Sequence, residues 1–232
     1  MLNRSTRLAA AAGIALVMTA MDTPVGVAQG GAPHDHASPD RMARLTDALG
    51  LKPGSAVADI GAGGGNYTAK LAYEVGEGGR VYAVDVSESA LTRLRSRVSS
   101  EKLENVQVIE GAVDDPRLPV GALDAALIVN AYHEMTEYAS MLSRIREALK
   151  PDGRLVILEP IADGARDRTR EQQASQHQIA PDIVLRDLKA AGFDIVALED
   201  PFKGSRAHGD HGEWLMVATP NSKLQTSKTP EP

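Results

Sequence analysis

An α/β fold, with a seven-stranded, mostly parallel sheet, helices on both faces and an antiparallel last strand, is what this 232-residue sequence predicts. Three observations carry that reading. Short runs of Val, Ile, Leu and Ala alternate with segments of helical spacing over residues 40–219, the pattern of parallel strands joined by crossover helices. The first run ends in an acid and a glycine-rich turn, Asp59-Ile60-Gly61-Ala62-Gly63-Gly64-Gly65. The last two runs have no helical segment between them, so they are expected to lie antiparallel.

The elements follow in order. Met42, Leu45 and Leu49 recur at helical spacing and predict a first helix, closed by Leu51-Lys52-Pro53-Gly54. Strand one covers about 55–60, followed by a helix over about 66–75. Strand two is 80–85, with a helix over about 87–99. Strand three is Val106 to Ile109, and strand four is Ala125 to Val129. A helix over about 138–149 ends before Pro151-Asp152-Gly153, and strand five runs from Arg154 to Leu158. A last helix, about 181–191, stops at Gly192; strands six and seven are Phe193 to Leu198 and Trp214 to Thr219. In such a sheet the ligand crevice lies at the C-terminal ends of the strands, so Asp59, Asp85, Asp114 and Asn130 are expected near one edge.

The termini have a different character. Arg4 and Arg7 precede an apolar run from Leu8 to Met21, followed by the small residues Gly26-Val27-Ala28. Residues 1–28 therefore read as a cleavable secretory signal, which predicts an exported, periplasmic protein with no membrane span after cleavage. An uncleaved membrane anchor is the alternative. Residues 29–39 have linker composition, and residues 220–232 read as a disordered tail. With no cysteine in the chain there are no disulfides. A net charge of −6 and an aromatic content of 3% argue against nucleic-acid binding, since both a basic footprint and stacking platforms are missing.

The glycine turn carries the chemistry. Glycine lets the backbone approach a ligand closely. A phosphate-cradling loop would continue with Gly-Lys-Ser/Thr, but Asn66-Tyr67-Thr68 follows. A dinucleotide fingerprint needs Gly-x-Gly-x-x-Gly, but position 66 is Asn. The spacing Asp59-x-Gly61-x-Gly63-x-Gly65 resembles instead the first motif of class I S-adenosylmethionine-dependent methyltransferases. A second acid, Asp85, ends strand two 20 residues after Gly65, where ribose hydroxyls are received in mononucleotide-binding halves. Without the glycine motif, Asp85 would read as a loop acid or helix cap.

The resemblance extends over most of residues 40–219. Gly111-Ala112-Val113-Asp114-Asp115-Pro116-Arg117-Leu118-Pro119, Asn130-Ala131-Tyr132-His133-Glu134-Met135 and Leu149-Lys150-Pro151-Asp152-Gly153-Arg154-Leu155 fall in the order of that class. The chain is similar to the ubiquinone/menaquinone-biosynthesis-type small-molecule methyltransferases and to a related bacterial subgroup of undefined substrate. The resemblance implies a Rossmann-like sheet, S-adenosylmethionine as cofactor, and a small-molecule methyl acceptor. It implies cofactor contacts at Asp59, Gly61, Ala62, Gly63, Gly65, Asp85, Val86, Ala112, Val113, Asp114 and Asn130, with Asp59 receiving the ammonium group directly or through water. Such enzymes often have Gly-Asp at the end of strand three. Here Ala112 follows Gly111, so Asp114 or backbone groups would hold the adenine.

Methyl transfer needs positioning above all, and a base only when the acceptor must lose a proton. His133 is the candidate base, with Glu134 orienting it; the bland reading has His133 packed beside Tyr132 and Glu134 capping the next helix. Tyr132 and His177 are the candidate acceptor contacts, Tyr132 reading equally as core. The pairs His34-Asp35-His36 and His208-Gly209-Asp210-His211 read as solvated loops, and no metal is assigned. Arg166-Asp167-Arg168-Thr169-Arg170-Glu171 mixes signs and reads as a solvated helix or lid. The alternative function is an exported, catalytically inactive or repurposed member of the fold that binds another small ligand, suggested by the signal and by Ala112.

Overall fold

A computed structural model describes residues 39–203 and 211–221. The expected signal, nearly all of the linker, the residues 34–36 and 208–210 and most of the tail lie outside the described residues.

Strand formation follows the apolar runs. β1 (Ala56–Ile60) pairs in parallel with β2 (Arg80–Asp85) and with β4 (Leu123–Val129). β2 pairs on its other side with β3 (Val106–Glu110), and β4 with β5 (Leu149–Ala162). β7 (His211–Pro220) then lies antiparallel between β5 and β6 (Phe193–Glu199). The sheet order is β3-β2-β1-β4-β5-β7-β6. Strand order reverses between β1 and β4, and such a reversal opens a crevice at the carboxyl ends of those strands.

The period of two sorts side chains to the two faces. Val57, Leu127, Val156 and Leu158 join a core under the helices α1 (Pro39–Leu49) and α2 (Asn66–Val75). Ala58, Ile60, Ile128 and Ile157 join another under α4 (Tyr138–Ala148) and α6 (Pro181–Ala190). Between these helices in the chain come α3 (Glu88–Ser100) and the short α5 (Arg170–Ala174). Near-continuous apolar strands are expected of a sheet covered on both faces. Trp214 is wholly buried, and its indole N–H donates to the Ile179 carbonyl at 2.8 Å, tying the chain ahead of α6 to β7.

One local reading needs correction. Strand five is much longer than Arg154–Leu158, because Leu149 already pairs with Leu123 and the register shifts before Arg154 meets Ala125. The Pro151-Asp152-Gly153 turn is absorbed in that irregularity. The mixed-charge run, read as a solvated helix or lid, is in part the short helix α5, where Thr169 caps the helix and forms a reciprocal capping box with Gln172. No helix among the described residues is long and apolar enough to cross a membrane.

α1 is anchored by charge as well as by Met42, Leu45 and Leu49. The buried Arg41 guanidinium donates through Nη1 and Nη2 to both carboxylate oxygens of Glu213 in β7, each at 2.6 Å, and through Nε to the Tyr67 hydroxyl at 2.8 Å. Removing one member of a buried pair leaves the other charge uncompensated. Arg41→Ala is therefore expected to lower stability by about 3 kcal/mol, and the double variant Arg41→Ala/Glu213→Ala by less than the sum of the two single changes. Chemical denaturation of the four proteins checks this.

Candidate active site

At the β1–β4 reversal lies a cavity of about 400 Å³, open to solvent, within the usual range for small-molecule sites. The glycine turn forms one wall. Gly61, Gly63 and Gly65 all have positive φ, at 76°, 57° and 82°, which explains the residue type at each. Their surroundings differ. A Cβ on Gly61 would sit 2.4 Å from the Ala131 Cβ, and one on Gly65 would sit 2.7 Å from Leu94 Cδ1 in α3. A Cβ on Gly63 would meet nothing within 4 Å, because that glycine borders the cavity. Gly61 and Gly65 thus allow parts of the protein to approach each other, and Gly63 leaves room for a ligand.

Asp85 closes the turn. Its Oδ2 accepts from Gly63 N at 2.8 Å and its Oδ1 from Ser87 N at 2.9 Å. Each oxygen has a further lone pair, and the side chain lines the cavity. Val86 and Val113 also line it and are 54% and 57% exposed, apolar surface that a planar base would cover. Ala112 and Asn130 line it as well; Asn130, at φ 50°, ends β4 and donates its N–H to the Leu158 carbonyl.

Four of the expected cofactor residues stand apart from the cavity. Asp59 is buried beneath the turn on the α2 side of the sheet, where the Thr68 hydroxyl donates to it at 2.6 Å, so it makes no direct approach to the ligand space. Ala62 gives its N–H to the Val84 carbonyl, and Gly65 packs on α3. Asp114 is exposed and is not among the lining residues, so the expected substitute acid does not reach the space from this position.

The segment after β4 also differs from expectation. Residues Tyr132–Glu134 form one turn of 3₁₀ helix. Tyr132, expected as an acceptor contact, is wholly buried core, its hydroxyl donating to Asp187 at 2.9 Å. That carboxylate also pairs with Arg170, whose guanidinium lies 3.9 Å from the Tyr138 ring centroid. His133 is buried and absent from the cavity wall, whereas Glu134 lines it. The expected order is thus reversed in space: the carboxylate faces the cavity and the imidazole stands behind it.

His133 is held by Glu159, a fully buried acid that the sequence reading missed. Glu159 Oε1 accepts from Ala131 N at 2.8 Å and from Tyr132 N at 2.6 Å, and its Oε2 lies 2.6 Å from His133 Nδ1. Burial alone would lower the His133 pKa, but the hydrogen bond and charge of Glu159, with the charge of Glu134, outweigh it and the net shift is upward. The signal was present in the sequence as an acid inside the apolar run Leu155–Ile161. Met135, Thr136 and Arg93 also line the cavity unforeseen. His177 lies outside the lining, 3.7 Å through Nδ1 from Glu134 Oε1.

Comparison with known proteins decides the family. Residues 57–153 match the family described as Methyltransferase domain. Residues 57–153 of this chain carry a methyltransferase domain of the S-adenosylmethionine-dependent kind. The domain is 34% identical over 111 residues to the ubiquinone/menaquinone biosynthesis C-methyltransferase UbiE of Teredinibacter turnerae, covering 47% of this chain and 45% of that protein. It is 30% identical over 111 residues to the demethylmenaquinone methyltransferase of Bacillus mycoides, covering 48% and 47%. The chain spans less than half the length of these curated relatives. A crystal structure of a SAM-dependent methyltransferase from Aquifex aeolicus superposes with a TM-score of 0.63 at 25% identity, covering 78% of this chain and 93% of that one. The turn, Asp85 and the exposed valines of the methyltransferase domain fit an adenosyl cofactor: an open cradle at Gly63, free acceptor capacity at Asp85 and apolar surface at Val86 and Val113.

Asp59 is expected to leave a mark on stability. Burial pushes its carboxyl up to about 6, against the two hydrogen bonds from Thr68 and with a smaller upward push from Asp85. The folded chain then keeps a proton that the unfolded chain releases near 3.8. This group's contribution is fully present below the unfolded value and is lost as pH rises through about 6. Asp59→Asn is expected to gain on the wild type between pH 4 and pH 6, by up to about 3 kcal/mol, read from denaturation at a series of pH values.

Proposed function

We propose that this methyltransferase domain transfers a methyl group from S-adenosylmethionine to a small-molecule acceptor. The observation that carries the reading is the cavity at the strand-order reversal, with Gly63 open to it, Asp85 bracing the turn, and Val86 and Val113 exposed within it. When bound, the cofactor supplies a methyl already activated on a sulfonium, so the protein's task is to position and to exclude water. Asp85 is suited to accept hydroxyl hydrogen bonds while the N–H groups of Gly63 and Ser87 keep it in place. The two valines are suited to cover the faces of a base. Asn130, Ala131, Glu134, Met135 and Thr136 border the rest of the space, where an acceptor would enter. Glu134, with a side chain 65% exposed, is the carboxylate that faces this space, with the buried His133 behind it. The similarity to UbiE-type enzymes favours a small organic acceptor. The pattern of residues 4–28 favours export to the periplasm, which N-terminal sequencing of the mature protein from fractionated cells checks.

Calorimetric titration of S-adenosylmethionine and its demethylated product into the purified protein tests the reading. Micromolar binding is expected; none, from a folded protein, overturns it. Gly63→Ala is expected to cost about 1 kcal/mol in stability for its positive φ yet to weaken the cofactor at least tenfold, because the added methyl projects into the cavity. Asp85→Asn is expected to weaken it about tenfold to a hundredfold, the worth of hydrogen bonds to a charged acceptor.

A further inference from the structure

We infer that His133, Glu134 and His177 form a binding site for one divalent transition-metal ion of the zinc type, at the rim of the cavity. His133 Nε2 lies 3.8 Å and His177 Nδ1 lies 3.7 Å from the same oxygen, Glu134 Oε1. The three candidate ligand atoms all fall within 4.8 Å of one another. Tetrahedral zinc with bonds of about 2.0–2.2 Å brings ligand atoms to roughly 3.3–3.5 Å apart, so the cluster needs only a modest contraction. The Glu134 and His177 side chains are 65% and 78% exposed and can turn to make it, while His133 at 3% is fixed.

Two further features suit a metal. The carboxylate of Glu159, 2.6 Å from His133 Nδ1, is placed to take the proton of that nitrogen, so an ion binding at Nε2 would displace only the proton there. Nε2 is then the ring nitrogen turned toward Glu134, the carboxylate-behind-imidazole arrangement that orients metal-ligating histidines. His177 has φ 54°, a left-handed conformation that a residue with a side chain seldom adopts. Two buried glutamines flank it. Gln173 donates to the carbonyls of Ala165, Arg166 and Arg168 and accepts from Ala180 N, and Gln178 accepts from Ala162 N. Against this frame the His177 ring stands edge-on to His133, centroids 5.6 Å apart. A donor set of two imidazoles and one carboxylate suits zinc and its neighbours rather than magnesium or calcium. Three protein ligands leave a position open, as in catalytic zinc sites. Because Glu134 also lines the cavity, that position lies where the acceptor would enter. Resting on the methyl-transfer reading, this assigns an acceptor with a nitrogen, oxygen or sulfur donor atom rather than a purely hydrocarbon one.

The test is titration of Zn²⁺, and of Co²⁺ with its visible spectrum, into the chelator-stripped full chain, beside the variants His177→Gly and Glu134→Gln. Both alter exposed side chains, and glycine keeps the positive φ at 177. One ion per chain, a tetrahedral cobalt spectrum, and affinity weakened about a hundredfold in His177→Gly and at least tenfold in Glu134→Gln are expected. No binding by the wild type overturns the inference. So does equal affinity in the variants, which would place the ion elsewhere, for instance on the histidines at 34, 36, 208 and 211. The cofactor titration is run on the same wild-type sample. Cofactor binding without zinc removes the metal site and leaves methyl transfer standing; zinc binding without cofactor does the reverse and withdraws the acceptor class.

Discussion

The site of this protein depends on one buried carboxylate. Glu159 projects from β5 into an otherwise apolar core, and an ionised group there costs several kcal/mol unless donors converge on it. Three groups do so: the backbone N–H groups of Ala131 and Tyr132 and the Nδ1 of His133. All three belong to the segment that leaves β4. The chain therefore cannot continue β4 past Val129, whose partner is Leu158; it must fold into a 3₁₀ turn over the acid. That turn buries Tyr132, seats His133 and turns Glu134 out to the cavity. It also brings Ala131 against Gly61, the contact that admits no Cβ. The glycine turn and the segment that follows β4 are thereby locked to each other across the strand-order reversal.

The glycine turn divides its work among its residues. Its own N–H groups are largely committed inside the protein, Gly61 and Ala62 to Val84, Gly65 to Ala62, Gly63 to Asp85. Ligand space comes from the absence of side chains rather than from a ring of free donors. Asp59, the acid that opens the motif, holds the first turn of α2 through Thr68. Its burial accounts for its upward-shifted pKa, and for its remoteness from the cavity.

Much of the fold was readable because its cause is local. The strands of period two and continuous apolar composition, and the helices with Leu at helical spacing, appear within one or two residues of expectation for α2, β2, β3 and α6. β5 was misjudged because pairing with Leu123 draws Leu149 into the sheet before the Pro-Asp-Gly segment, and pairing partners are not local. In the site, Asp85, Val86, Ala112, Val113, Gly63 and Asn130 were readable because a residue at the end of a parallel strand faces the crevice by topology alone. For Tyr132 and His133 the sequence left a pocket and a core reading open, because a 3₁₀ turn and a buried acid 26 residues farther on from His133 decide which way they point.

The sequence by itself determined the class of fold, the resemblance to methyltransferases and the edge of the sheet where the cavity opens, since periodicity, glycine spacing and strand-end acids act over a few residues. Only the tertiary structure decided that Glu134 rather than His133 borders the cavity, and that His177 comes within reach of both. Those facts arise where β4, β5 and the segment between α5 and α6 converge. Burial and hydrogen bonding between distant parts of the chain, which no local pattern encodes, set the direction of each side chain there.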